Sequence, residues 1–292
     1  MENYIEFKKQ RELGDILTDT FAFVRTQFKP FISTFFKIVG PYLVVTLISS
    51  ALYLYFIGDL FNLFQEFDMS VTQIFIFLLV IFIYITSLIT VYTMSQSMVL
   101  HYIKSYTENG GVIVYEEIKR NVYDSFWRFI GLGFMVGFSV LIGAMCCYLP
   151  GIYLFVPLSL SFSIMVFSKK TVSESYNYSF KLIKDEWWIT FATILVMGII
   201  VGIAGFAFSI PTIIYQQVDM GIFSGEVDPA NVMDSFIDPV YILFNIIGTT
   251  AQLLLNILSI VAGAFIYFNL NEKKNFTGTY ERIQNLGETP EN

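Results

Sequence analysis

The residue types that most often carry chemistry are scarce in this sequence. It has one histidine, His101, and two cysteines, Cys146 and Cys147, which are adjacent. A Ser-His-Asp or Cys-His set needs a histidine held between a nucleophile and an acid, and His101 has no acidic neighbour in sequence. A metal site would need further ligands beside the cysteines. We predict a hydrogen-bonded, interfacial His101, with a titrating or ligand role as the alternative, and no catalytic residue, metal or cofactor.

Two other motifs match known sites only in part. The glycines of the run 131–137 are spaced one residue too widely for a dinucleotide fingerprint, and no strand precedes them. We interpret them as a small-residue packing face of a membrane helix. The acidic segment 218–239 lacks the central Gly and terminal Glu of a calcium loop. An intramembrane enzyme would have to use carboxylates such as Asp234 and Asp238, and we rank that hypothesis last.

Uncharged polar and small residues form three more regular patterns. Alternating spacings of four and three place each set on one face of a helix. Such faces let membrane helices pack closely and hydrogen-bond to each other. Alternatively, the amides of the last set line a polar cavity or a lipid-headgroup path, since an unpartnered amide facing lipid costs on the order of several kcal/mol. The sets are Thr86, Thr90, Thr93 and Ser97; Gly198, Gly202, Gly205 and Ser209; and Asn245, Thr249, Gln252, Asn256 and Ser259.

These faces belong to long apolar segments that predict a single integral membrane domain over residues 1–292. Apolar residues make up 55% of the chain and charged residues 14%, well below the roughly 25% charged residues of soluble proteins. The charge-free stretch 129–168 is long enough for two spans, and Leu149-Pro150-Gly151 is a turn signal near its middle. The six predicted spans are 38–57, 74–100, 129–148, 152–168, 189–210 and 240–268, between an amphipathic arm (1–34) and a tail (271–292).

Charge is strongly segregated between the segments that connect the spans. All 17 Lys and Arg lie ahead of the first span, in the segments 101–128 and 169–187, or in the tail, whereas the alternate segments hold none. Cytoplasmic loops are enriched in basic residues, so we predict that both termini are cytoplasmic. Residues 1–30 lack the apolar core of a secretory signal, and the first span is expected to act as an uncleaved anchor. No basic face suited to nucleic acid is present.

An amphipathic segment precedes each predicted pair of spans. The first is Glu12 to Phe31, the middle one is Val114 to Arg128, and the third is Thr171 to Trp188. Aromatic residues seven positions apart stand just ahead of a span in the first and third segments, while the middle segment aligns poorly. We predict an all-α polytopic protein of three transmembrane hairpins, each preceded by a cytoplasmic amphipathic helix. Unrelated helices on the inner surface are the alternative.

Pro150-Gly151, Ser179 and Trp187-Trp188 carry a family resemblance. The segment 149–191 resembles bacterial six-span proteins related to the membrane domain of glycerophosphoryl diester phosphodiesterases, in which a Pro-Gly turn leads into a span. An amphipathic helix with a central Ser and a Trp-rich end then follows. The resemblance implies a bacterial cytoplasmic-membrane protein with this repeat. It implies no activity, because the phosphodiesterase is a separate soluble domain.

Taken together, these features predict a non-catalytic membrane module. It would dock a partner protein or act in membrane organisation, with the lipid bilayer and a protein partner or a second copy of the chain as its contacts. The alternative is a carrier or channel for a lipid or a small uncharged solute, using the polar face of the sixth span.

Overall fold

A computed structural model describes residues 4–66, 70–222 and 238–287 of the chain, which form helices and, within those ranges, no strand. We number the helices in chain order. They are α1 (Leu13–Thr26), α2 (Phe28–Ile38), α3 (Gly40–Glu66), α4 (Val71–Glu108), α5 (Tyr115–Cys146), α6 (Tyr148–Ser159), α7 (Ser161–Phe167), α8 (Val172–Ile183), α9 (Trp187–Asp219), α10 (Pro239–Asn275) and α11 (Thr277–Gly287).

Six segments of the described chain are helical, long and apolar enough to cross a membrane. They are α3, α4, α5, the pair α6–α7, α9 and α10. Their number confirms the six predicted spans and the all-α class. The helices extend beyond the predicted boundaries, and α9 continues through Pro211. A helix can pass through a proline, because only the bond to the carbonyl four residues earlier is lost.

The junction between the third and fourth spans lies earlier than the sequence predicted. The break is at Cys147, whose backbone is extended between α5 and α6. Pro150 and Gly151 instead lie in the first turn of α6, where a missing N–H leaves no bond unmade. Gly151 is buried there, and a Cβ on it would come within 2.9 Å of the Ala144 backbone. Gly151 therefore serves close packing against α5, and the turn lies at Cys147.

Pro157 leaves a carbonyl to be satisfied inside the fourth span. It has no N–H to donate to the carbonyl of Tyr153, which precedes it by four residues. The indole Nε1 of Trp187, at the start of α9, donates to that carbonyl at 3.4 Å. The Trp187 ring also stacks on the Tyr153 ring at a centroid distance of 5.7 Å. Trp187 thus links the start of α9 to the fourth span and satisfies the carbonyl that Pro157 leaves free.

Helices α1, α5 and α8 begin in the same register. Each has an acidic residue at the third helical position, and the buried positions that follow have the same spacing in all three. Helices α2 and α9 start, at Phe28 and Trp187, the same distance after the N-cap residues of α1 and α8. Helix α5 instead continues into the third span, so no separate helix precedes that span. The N-caps are Glu12, Val114 and Thr171; the acids are Asp15, Glu117 and Glu174; the buried sets are Ile16, Thr20 and Phe23, then Ile118, Val122 and Ser125, then Ser175, Ser179 and Leu182.

The chain forms two compact units. The first comprises Met1–Phe35, Thr93–Ile199 and Ile257–Asn292, and the second comprises Phe36–Tyr92 and Ile200–Asn256. In the second unit, α3 and α4 are joined by hydroxyl groups. Thr46 Oγ1 donates to the Ser87 carbonyl at 3.1 Å, and the hydroxyls of Ser49 and Ser87 are 2.8 Å apart.

Aromatic rings fill the core of the first unit. Phe7, in the arm before α1, is fully buried and stacks on Phe265 of α10 at a centroid distance of 4.2 Å. Phe23 of α1 and Tyr106 of α4 meet the Phe7 ring edge-on at 5.1 and 6.0 Å. Buried aromatic pairs in this geometry contribute about 0.5–1.5 kcal/mol each beyond the area that they bury. They tie the N-terminal arm to the C-terminal parts of α4 and α10.

Arg11 is the buried cation of this core. Its side chain is fully buried, and the guanidinium lies 4.6 Å from the centroid of the Phe265 ring. Its Nε donates to Asp19 at 2.8 Å, and its terminal nitrogens donate to the carbonyls of Glu6, Phe7 and Lys9. Burial lowers the pKa of Arg11 from its ordinary value, while the hydrogen bond to Asp19 acts in the opposite direction.

The C-terminal helix is attached to the end of α10 by a buried carboxylate. Glu272 is 1% exposed and accepts hydrogen bonds from the backbone N–H groups of Gly278 and Thr279 at 2.7 and 2.9 Å. These donors belong to the first turn of α11, where N–H groups lack partners within the helix. Gly278 also lies against the Lys8 carbonyl, where a Cβ would collide. The arm and α11 therefore pack together.

The Arg11 contacts predict an unequal response to two conservative substitutions. Arg11→Lys keeps the charge but loses the planar stacking and several donors, so we expect the free energy of unfolding in detergent to fall by about 1–3 kcal/mol. Arg25→Lys, at an exposed position on α1, is the matched control and should change it by less than about 0.5 kcal/mol. Equal effects of the two substitutions would show that Arg11 does not anchor the arm.

Candidate functional site

The polar face of the sixth span contains amides without partners. Asn245, Gln252 and Asn256 lie on α10, and among the described residues none of their side-chain amides has a hydrogen-bond partner. Asn245 and Asn256 are half-buried and Gln252 is exposed. Thr249, half-buried, lies between them on the same face. We call these four residues the polar seam; Ser259, which continues the pattern, belongs to the first unit.

The polar seam is turned away from the apolar exposed stripe of its own helix. Leu243 and Ile247 are 55% and 48% exposed. Gln252 follows Leu243 by nine residues, which at about 100° per residue is half a turn around the helix. Tyr241 and Leu253, which flank the polar seam, are buried. The amides are therefore accessible on the side of α10 that faces the protein.

The fifth span provides the surface opposite the polar seam. A Cβ at Gly205 would collide with Gln252 Oε1, and one at Gly248 would lie 3.8 Å from the Phe208 carbonyl. These two approaches set α9 and α10 antiparallel, so Gly202 lies level with Asn256. Gly202 is exposed, and a Cβ there would meet nothing within 4 Å. Space therefore remains beside Gly202.

The polar set of the second span behaves differently from the prediction. Thr86 is exposed, Thr90 and Thr93 are half-buried, and the Thr90 hydroxyl donates to the Thr86 carbonyl of its own helix. Ser97 is buried and its hydroxyl lies 3.0 Å from that of Ser125. Packing against α3 uses Ser87, which the sequence analysis did not select. The three-residue spacing of Thr46 and Ser49 is the sequence pattern that indicates a hydroxyl-bearing packing face on α3.

The glycines selected as packing faces are mostly open. Cβ atoms at Gly131, Gly133 and Gly137 would meet nothing within 4 Å, and the same holds at Gly198. The prediction that these glycines of the third span form a packing face is thus wrong for contacts within this chain. Close approach occurs instead at Gly143, where a Cβ would lie 3.1 Å from the Gly151 Cα.

His101 and the two cysteines occupy separate surroundings. His101 is buried, and its Nδ1 donates to the Ser97 carbonyl one turn earlier at 2.8 Å. The Phe129 ring lies 6.1 Å away. Cys146 and Cys147 are exposed free thiols at the junction of α5 and α6. In the part of the chain that the structure describes, no group of three or more His, Cys, Asp or Glu could hold a metal ion.

Asp238 caps the N-terminal end of the sixth span. Its Oδ1 accepts hydrogen bonds from the Val240 and Tyr241 N–H groups at 2.7 and 3.2 Å and from the Tyr215 hydroxyl at 2.9 Å. The Tyr215 hydrogen bond is the main cause that lowers the pKa of Asp238. These contacts give Asp238 a structural role at the start of α10. Asp234, its suggested partner in an enzyme, lies outside the described residues.

The helices and the polar seam define the class of this protein as a multi-pass α-helical membrane protein. No known protein family, curated protein or solved structure matches the chain. The residues of its own spans are therefore the basis for a functional proposal.

The contact between Gly205 and Gln252 predicts unequal effects of a glycine-to-alanine substitution at two positions of α9. Gly202→Ala should raise the free energy of unfolding by about 0.5–1 kcal/mol, because alanine favours the helix and nothing blocks its methyl group. Gly205→Ala should lack this gain, since it displaces the Gln252 amide. In a Gln252→Ala background the gain at position 205 should return, as measured by thermal unfolding in detergent. Equal gains at 202 and 205 in the unchanged background would contradict the contact.

Proposed function

We propose that this protein is a non-catalytic membrane carrier or channel that passes a small uncharged polar solute or a lipid headgroup along the polar seam. The amides of Asn245, Gln252 and Asn256, which have no hydrogen-bond partner in the described part of the chain, carry the proposal. An amide in hydrocarbon that lacks a partner costs on the order of several kcal/mol. Water, a solute or a headgroup beside α10 would remove that cost.

The chemistry of the polar seam favours an uncharged substrate. Amides and a threonine hydroxyl both donate and accept hydrogen bonds and carry no charge. Acidic or basic side chains within a span usually accompany ion coupling or proton relays, and the polar seam contains none. Hydroxyl-bearing or amide-bearing groups fit such a surface best. This reverses the order that the sequence alone favoured, because a packing face would have its amides bonded to a neighbouring helix.

Cysteine accessibility tests the proposal without knowledge of the substrate. Cys146 and Cys147 are first replaced by Ser, and single cysteines are placed at Asn245, Thr249 or Gln252 on the polar seam. A small water-soluble thiol reagent should modify these positions in the lipid-embedded protein, because thiols react as thiolates, which form only in contact with water.

Cysteines at Leu243 and Ile247 are the matched controls on the other face of the same helix. They should react at least about tenfold more slowly, since hydrocarbon disfavours the thiolate. If positions on the polar seam react as slowly as these controls, no hydrated path exists and the carrier proposal fails.

A second function, a module that organises the membrane or docks a partner, is supported by α1 and the start of α2. One face of α1 packs Ile16, Thr20 and Phe23 into the first unit. On the adjacent face Phe21 and Phe28 are 41% and 55% exposed. Exposed aromatic residues on a helix with charged neighbours are typical of helices that lie in a membrane interface. Substitutions on the polar seam distinguish the two functions, because they should impair a carrier and leave a docking or membrane-organising module unaffected.

We further propose that the chain is built from three units in a bacterial cytoplasmic membrane, with both termini in the cytoplasm. The shared register of α1, α5 and α8 supports a common unit of a surface segment followed by a transmembrane hairpin. Units in the same orientation would be parallel repeats about an axis along the membrane normal. The placement of all 17 basic residues on one set of connecting segments supports the orientation.

The native cysteines can report this orientation. An impermeant maleimide added to intact cells should label Cys146 or Cys147, which are exposed at the proposed outer end of the third span. In the background without these cysteines, a cysteine at the half-buried Lys170 should be labelled only after the membrane is permeabilised. Labelling at Lys170 in intact cells together with none at Cys146 or Cys147 would invert the proposed orientation.

A further inference from the structure

The first unit contains a groove whose lining residues include none of the polar seam. Its volume is about 770 Å³, and it is bounded by the N-terminal turn of α1, the first turns of α9 and the end of α10. The groove opens where the fifth span begins, because Trp188 and Ile189 of that span form part of its wall. A groove at the end of a span lies at the level where lipid headgroups meet the protein.

One wall of the groove is apolar and exposed. Trp188 is 76% exposed and Ile189 is 50% exposed, and Ala192 continues the wall one turn deeper into the span. Tryptophan at the end of a span prefers the headgroup level, where its ring meets apolar chains and its N–H meets water. This wall therefore fits the glycerol and upper acyl part of a phospholipid.

Another part of the wall is acidic. The carboxylates of Glu12 and Asp15 are exposed there and form a capping box, in which the Glu12 carboxylate accepts the Asp15 N–H and the Asp15 carboxylate accepts the Glu12 N–H at 3.2 Å. Each carboxylate keeps a second oxygen that can accept a further hydrogen bond. The basic residues at the groove are already neutralised. Lys273 donates to both oxygens of Glu186 at 3.0 Å, and the Arg11 guanidinium is turned to Asp19. The free charge of the groove is therefore negative.

We propose that this groove binds the ethanolamine headgroup of a membrane phospholipid. A primary ammonium can donate to the carboxylates of Glu12 and Asp15 at once, and it is also attracted to the face of the Trp188 ring. The acyl chains then follow Ile189 and Ala192 into the bilayer. An anionic headgroup without an amine meets two carboxylates of its own sign and is disfavoured.

Lipid retention by the purified full chain tests this assignment. The protein is titrated in detergent with phosphatidylethanolamine or phosphatidylglycerol, and bound lipid is counted by native mass spectrometry. The unchanged protein should retain the ethanolamine lipid about five- to tenfold more tightly than the glycerol lipid, as expected for exposed charge pairs. The double variant Glu12→Gln, Asp15→Asn keeps the size and the hydrogen-bond acceptors of both side chains and should lose that preference.

The variant Glu116→Gln, Glu117→Gln is the matched control, since it removes two acids from the first turn of α5. It should keep the preference of the unchanged protein. Loss of the preference in this control as well would assign it to net charge and overturn the groove. Equal retention of the two lipids by the unchanged protein, with no change in the double variant, would also overturn it.

Fluorescence gives a measurement that needs no change to the acidic wall. Brominated ethanolamine lipid should quench the part of the emission that Trp188→Phe removes more strongly than brominated glycerol lipid does. Equal quenching by the two lipids would reject the ethanolamine assignment even if the double variant fails to fold. Both outcomes are independent of thiol labelling on the polar seam, so failure here leaves the carrier proposal standing and the reverse also holds.

Discussion

Hydrocarbon offers no hydrogen bonds, so a chain that crosses it must satisfy its polar groups from within. The apolar segments of this protein meet that constraint as helices, and several polar groups within them have identifiable partners, although the buried Gln217 Oε1 has none among the described residues. The carbonyl freed by Pro157 receives the Trp187 indole N–H. The hydroxyls of Thr46 and Ser49 reach Ser87 on the neighbouring helix. Against this background the amides of the polar seam stand out, because they have no hydrogen-bond partner among the described residues and Gln252 lies against Gly205 of the fifth span.

Charged groups are tolerated in the first unit where it extends beyond the apolar segments. Arg11 is surrounded by carbonyls, an aspartate and an aromatic ring, and this arrangement fixes the arm before α1 against α10. Glu272 performs the complementary task for α11 by capping its first turn. The groove beside α1 results from this packing. Its acidic wall stays free because the nearby basic groups are used in the structure itself.

The three surface segments begin with the same helical pattern but connect to their spans in two different ways. Helices α1, α5 and α8 share an acidic residue in the first turn, which suits the positive end of a helix, and the same spacing of buried residues. After α1 and α8 the chain breaks before the next helix begins, whereas α5 continues directly into its span. In the sequence the middle segment aligns poorly with the other two, because its buried residues match theirs in position rather than in type.

The sequence by itself determined the all-α class, the number of spans and the segregation of charge. These properties depend on composition and period over about 20 residues, which are local quantities. It also selected the residues of the polar seam, since helical spacing identifies a face. It could not determine what that face meets. The break at Cys147, the open glycines of the third span, the choice of Ser87 over Thr90 and the burial of Arg11 were decided by tertiary structure, because a partner is set by the rotation and register of neighbouring helices, which no single segment encodes.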